Sequence, residues 1–138
     1  MAECMSSNWH RDKINDTWTR KAKKEGYRAR SAFKLKQIQE RFGIIREEDT
    51  ILDVGCYPGG WSQVSSQLVG DSGLVIGIDL EPTQKVKGCT FFTGDITDSQ
   101  MQEKIVLELG DREINTVVSD IAPDLTGNWD RDQALAIY

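Results

Sequence analysis

The stretch Thr50-Ile51-Leu52-Asp53-Val54-Gly55-Cys56-Tyr57-Pro58-Gly59-Gly60-Trp61-Ser62-Gln63 decides the fold. Its first five residues form a short apolar run of the length expected for a buried strand. A glycine-rich loop follows at 55–60. Beyond it Trp61, Val64 and Leu68 fall at helical spacing, with Gly70 placed as a stop. Strand, glycine loop and helix in this order open a βαβ unit.

The pattern continues downstream. Leu74-Val75-Ile76-Gly77-Ile78-Asp79 reads as a second buried strand, and Phe91-Phe92 marks a short third one. Met101, Ile105 and Leu109 recur every four residues, which predicts a helix over 99–109. Residues 115–120 (NTVVSD) read as a fourth strand. Strands alternating with helical patterns predict an α/β, Rossmann-like fold, a parallel sheet with helices on both faces. Upstream, 17–43 reads as a helix that becomes well defined after Gly26 and stops at Gly43. Leu35, Ile38 and Phe42 share one side of it and are expected to face the core. Arg30, Lys34, Gln37 and Arg41 form a second stripe, three of the four being cationic.

Composition narrows the class. The 138 residues fit one domain, and 28% charged with 38% apolar residues suits a soluble globular chain. No apolar run approaches the roughly 20 residues of a membrane span, and the N-terminus lacks the apolar stretch of a signal peptide. Three widely spaced cysteines and a single histidine argue against a disulfide framework or a zinc site, so no metal is expected. The expected location is cytoplasmic. The net charge of −5 hides a split: residues 1–41 carry eleven Lys/Arg against five Asp/Glu, and residues 42–138 six against seventeen. A basic segment on an acidic body suggests an RNA-facing surface, with a solvated helix face as the plain alternative.

In such a sheet, ligands bind beyond the carboxyl ends of the strands. Glycines in the first loop permit close backbone approach, and the helix behind offers free N–H groups. The loop is neither G-x-G-x-x-G nor a P-loop, which counts against nicotinamide and ATP readings. Asp79, ending the second strand, can accept from both hydroxyls of a nucleoside ribose. Asp95, in Thr93-Gly94-Asp95-Ile96, can accept from an exocyclic amine such as adenine N6. Asp120 ends the fourth strand just before Ile121-Ala122-Pro123 and lies beside the expected cofactor. Each aspartate alone is more often a cap or a turn residue. It is their recurrence at successive strand ends that favours a site.

Three strings carry a resemblance: Tyr27-Arg28-Ala29-Arg30-Ser31-Ala32-Phe33-Lys34-Leu35, the loop Leu52–Gln63, and Val118-Ser119-Asp120-Ile121-Ala122-Pro123. Together they resemble the FtsJ-type 2′-O-ribose RNA methyltransferases, from about Tyr27 to the last residue. The resemblance implies a class I methyltransferase fold and S-adenosylmethionine as methyl donor. Gly55, Pro58, Gly59, Gly60, Trp61, Asp79, Asp95, Ile96 and Asp120 are then the expected cofactor set. Arg28, Arg30, Lys34 and Arg41 are the expected RNA contacts. Lys34 and Asp120 match the first two members of the family's Lys-Asp-Lys-Glu tetrad. The later lysine and glutamate have no counterpart before Tyr138, so residues 27–138 read as a methyltransferase domain incomplete after its fourth strand, behind a basic arm at 1–26.

The implied substrate is a uridine of large-subunit ribosomal RNA, with tRNA ribose or a catalytically incomplete binding module as alternatives. Base methylation is a weaker reading, because no aromatic residue follows Asp120 to stack a flipped base. The implied whole protein is a monomer, whereas the 138-residue chain by itself is expected to self-associate.

Overall fold

The computed structural model describes residues 17–121. The turn expected at Ala122-Pro123-Asp124, the helix expected from Ala134 and the first part of the basic arm lie outside the described residues. Residues 17–25 are helical (α1). After them come α2 (Ala32–Phe42), β1 (Thr50–Val54), α3 (Gly60–Val69), β2 (Leu74–Asp79), β3 (Cys89–Thr93), α4 (Ser99–Leu109) and β4 (Thr116–Ser119).

The four strands form one sheet in the order β3-β2-β1-β4, and each neighbouring pair is parallel. Register follows the alternation of side chains. Ile51, Val75 and Val118 point to one face and join Phe33, Leu35, Trp61 and Val64 from the helices. Leu52, Ile76 and Ile78 point to the other and join Met101 and Ile105 of α4. Because both faces of the inner strands are covered, those strands are apolar on both sides rather than alternating with polar residues, with Thr50 and Asp53 the buried polar exceptions in β1. This is the expected α/β sheet with helices on both faces. One connection differs from the alternating pattern: β2 reaches β3 through residues 80–88, which contain no helix. That segment leaves the carboxyl end of β2 and crosses to the amino end of β3, where the Gly88 carbonyl accepts from the Val75 N–H, so within it Leu80 is the residue that borders the strand-end cleft.

α1 packs onto the first core through the buried Ala22 and the half-buried Trp18, whose ring lies 5.4 Å from that of Phe33. The basic segment is thus joined to the domain by apolar contacts within the described residues. α2 buries Leu35 and half-buries Ile38, but Phe42 is 65% exposed. This corrects the expectation that Phe42 faces the core. Gly43 takes a left-handed conformation (φ 57°) and its N–H caps on the Gln39 carbonyl, so the chain turns away at once. Ile45, held on both sides by the Gln39 side-chain amide, is buried in the core, while Phe42 lies beneath the Arg41 guanidinium at 5.2 Å. No helix among the described residues is long and apolar enough to cross a membrane.

Candidate active site

The carboxyl ends of all four strands border one cleft of about 400 Å³, a size suited to a small-molecule ligand. β1 supplies Val54 and, just beyond it, Gly55; β2 supplies Ile78 and Asp79. Gly94, Asp95 and Ile96 follow β3, and Asp120 and Ile121 follow β4. Glycine at position 55 is required twice over. Its φ is +76°, and a Cβ there would collide with the Ile121 side chain. A larger groove of about 700 Å³ runs between α3 and residues 85–88, but it receives no strand end and none of the three aspartates. The smaller cleft is therefore the candidate site.

Its polar groups are held in place. Asp79 Oδ2 accepts from the Tyr57 N–H at 2.9 Å, and Oδ1 accepts from the Glu81 N–H at 2.9 Å. The carboxylate thereby ties the glycine loop to the segment after β2. An ionised carboxylate has about four acceptor positions, so capacity for a ligand is left over. Asp95 Oδ1 accepts from both the N–H and the hydroxyl of Thr97, at 2.9 and 2.8 Å. These hydrogen bonds, the backbone one first, hold its carboxyl below the usual aspartate value and keep it an acceptor.

A second cleft of about 340 Å³ lies beside the first, walled by Trp18, Phe33, Arg30, Lys34, Gln37 and Asp120. Lys34 Nζ stands 3.5 Å from Asp120 Oδ1, with the two side chains 65% and 34% exposed. Such a pair contributes little to stability, at most about 1 kcal/mol. Its significance is positional, because Asp120 borders both clefts.

Gly55 and Tyr57 border both the first cleft and a neighbouring cavity of about 30 Å³, whereas Pro58, Gly60 and Trp61 line the small cavity alone. The Trp61 indole N–H donates to the Ser31 carbonyl at 2.8 Å, which pins α3 to the start of α2. Gly59, with φ +115°, faces the Arg28 guanidinium rather than either cleft. Arg28 itself donates to the carbonyls of Pro58, Gln84 and Lys85. Arg30, Lys34, Gln37 and Arg41 are exposed.

Asp53 is a residue the sequence reading quoted without assigning it a role. It is 1% exposed, accepts from the Ser62 hydroxyl at 2.7 Å and lines the small cavity with Asp120. Burial pushes its carboxyl up to about 6, with the charges of Asp120 and Asp79 adding to the effect and the Ser62 hydrogen bond opposing it. The available signal was an acid inside the apolar run 50–54, where a charge is seldom buried without a reason.

A family model for FtsJ-like methyltransferases matches residues 27–138. The chain belongs to the FtsJ-like methyltransferase family. Among its relatives is a Psychrobacter arcticus protein named ribosomal RNA large subunit methyltransferase E, 41% identical over 133 residues that cover 96% of this chain and 63% of the relative. An Acinetobacter baumannii protein of the same name is 42% identical, covering 96% and 62% respectively. The chain thus spans about three fifths of the length of these curated relatives. A Plasmodium falciparum crystal structure, of a protein described as a ribosomal RNA methyltransferase, superposes with a TM-score of 0.68 at 29% identity. That match covers 80% of this chain and 68% of the other. The parallel sheet, its strand-end cleft and the family match agree that this FtsJ-like chain has an α/β methyltransferase fold.

Proposed function

We propose that the protein to which this FtsJ-like chain belongs transfers a methyl group from S-adenosylmethionine to a ribose 2′-hydroxyl of RNA. A uridine of large-subunit ribosomal RNA is the proposed target, in keeping with the names of the relatives. The observation that carries the reading is the meeting of two clefts at Asp120, since group transfer needs two ligands to share one boundary.

The first cleft suits the donor. Ile78, Leu80 and Ile96 offer apolar surface to a purine, and Asp95 can accept from its exocyclic amine. Asp79 retains acceptor positions for ribose hydroxyls beside the two amides it already binds. Gly55 lines the cleft without a side chain and so admits the Ile121 side chain as part of the wall, and Asp120 supplies negative charge toward a cationic sulfonium. When bound, the donor supplies a methyl group activated by positive sulfur.

The second cleft suits the acceptor. Arg30 and Arg41 lie exposed on one side for phosphate contact, and Lys34 stands at the boundary. The reaction is an in-line displacement in which an O–C bond forms as the S–C bond breaks, the sulfur leaves as a neutral thioether and the hydroxyl proton passes to solvent water. Holding the three atoms in line is the main task. The Lys34 ammonium can donate to the 2′-oxygen and favour its alkoxide-like form, while Asp120 fixes that ammonium.

The test is to incubate the whole protein with labelled donor, ribosomal RNA and tRNA, then map alkaline hydrolysis of the labelled RNA. Ribose methylation protects the adjoining phosphodiester and leaves one gap in the ladder at the labelled nucleotide. Label on a base with an unbroken ladder overturns the ribose assignment, and labelled tRNA instead of ribosomal RNA overturns the substrate. Absence of transfer with intact donor binding leaves a binding module.

A further inference from the structure

Arg28 stands in the most basic part of the sequence, between Lys23-Lys24 and Arg30, where a phosphate contact would be expected. Its guanidinium is nevertheless committed to the protein. Nη1 donates to the Pro58 carbonyl at 3.2 Å and to the Gln84 carbonyl, and Nη2 donates to the Lys85 carbonyl at 2.6 Å. Pro58 belongs to the glycine loop, and Gln84 and Lys85 belong to the helix-free connection 80–88. These two segments also carry Gly55, Tyr57 and Leu80, which wall the first cleft.

The segment around Arg28 is itself fastened to α3. The Arg28 N–H donates to Gln63 Oε1 at 2.9 Å, Gln63 Nε2 donates to the Gly26 carbonyl at 3.2 Å, and the Tyr27 hydroxyl donates to Gln67 Oε1 at 2.9 Å. The glycine at position 59 fits this arrangement, since a Cβ there would lie 3.0 Å from Arg28 Nη1. That glycine makes room for an arginine rather than for a ligand.

We propose that Arg28 is a positioning residue for the donor cleft: its guanidinium fork sets the spacing between the glycine loop and segment 80–88, and so sets donor affinity without touching RNA. The inference rests on the reading of the first cleft as the donor site. The clamp has two ties. Asp79 joins Tyr57 to Glu81 on the cleft side, and Arg28 joins Pro58 to Gln84 and Lys85 on the outer side. A donor whose ribose draws on Asp79 loads the inner tie and leaves the outer one to hold the wall. A planar fork reaches carbonyls on two segments at once, whereas a lysine ammonium acts as a point charge on a flexible stem.

Arg28→Lys in the whole protein separates the two roles, because it keeps the charge and removes the fork. Titration calorimetry with S-adenosylmethionine and salt-dependent binding of ribosomal RNA are the two readouts, with thermal melting as the folding control. The expected result is donor affinity reduced tenfold or more, with RNA affinity and its salt slope within twofold of wild type. Gln63→Ala, which releases the Arg28 segment and removes no charge, shows the same pattern at smaller amplitude and covers the case in which Arg28→Lys does not fold. Unchanged donor affinity in both variants overturns the proposal. So does Arg28→Ala that lowers the salt slope by about one while leaving donor affinity alone, the mark of a phosphate contact. If wild type binds no S-adenosylmethionine, the donor-site reading fails instead, and the two failures are told apart by that one control.

Discussion

At Asp79 one carboxylate serves two purposes, tying Tyr57 to Glu81 and facing the cleft with acceptor positions to spare. Asp79→Ala removes both. Calorimetry should show S-adenosylmethionine affinity falling at least tenfold, about 1.4 kcal/mol, and unchanged affinity would remove the ribose assignment. Asp53 is the opposite kind of aspartate, sealed in the core with its carboxyl pushed up from 3.8 to about 6, chiefly by burial. Between those two values the folded state binds more protons than the unfolded chain. Stability contributed by the neutral group is therefore complete below the unfolded value and is lost as pH rises through about 6. The charged form then costs on the order of 3 kcal/mol. Asp53→Asn mimics the neutral acid and still accepts from Ser62. Denaturant melts should show it more stable than wild type at pH 7.5 and equal to it at pH 4. A constant difference across that range would show that burial of charge is not the cause.

At the scale of elements, α2 divides its work by face. Leu35 is buried and Ile38 half-buried on the inner side, while Lys34, Gln37 and Arg41 stay exposed and Arg30 precedes them. Exposed cations on a single stripe suit a phosphate backbone, and they act additively through counterion release. Neutralising Arg30 and Arg41 together should weaken binding to unrelated RNAs about equally and flatten the salt dependence by about two. Affinity indifferent to salt would make this stripe a solvated helix face. The length of α2 is set at Gly43, which forms the left-handed cap and sends Ile45 inward. Periodicity places Phe42 with Leu35 and Ile38, but it carries no information about where the chain turns.

At the scale of the molecule, β4 pairs only with β1 among the described residues. Its Val117 is 59% exposed on the face that α4 covers elsewhere, and Ile121 beyond it is 60% exposed. An open parallel edge with apolar residues is a template for a further strand. The 138-residue polypeptide should self-associate through this edge. Light scattering tests the point, and a monodisperse monomer would show that β4 needs no further partner.

Much of this was legible in the chain itself. The run 50–54, the glycines after it and the periodic apolar residues of 61–69 and 99–109 determine strands and helices because burial on a sheet needs a fixed spacing of side chains. The aspartates at 79, 95 and 120 could be placed together because strand ends converge in a parallel sheet. Direction and competition for partners could not be read in this way. Whether Arg28 points to solvent or to Pro58, Gln84 and Lys85 depends on which carbonyls the packing of segment 26–28 against α3 brings within reach. Whether Trp61 faces a ligand or Ser31, and whether Asp53 is solvated or sealed beneath Asp120, depends likewise on residues distant in sequence. Local spacing is a property of the chain, whereas a hydrogen-bond partner is a property of the assembled fold.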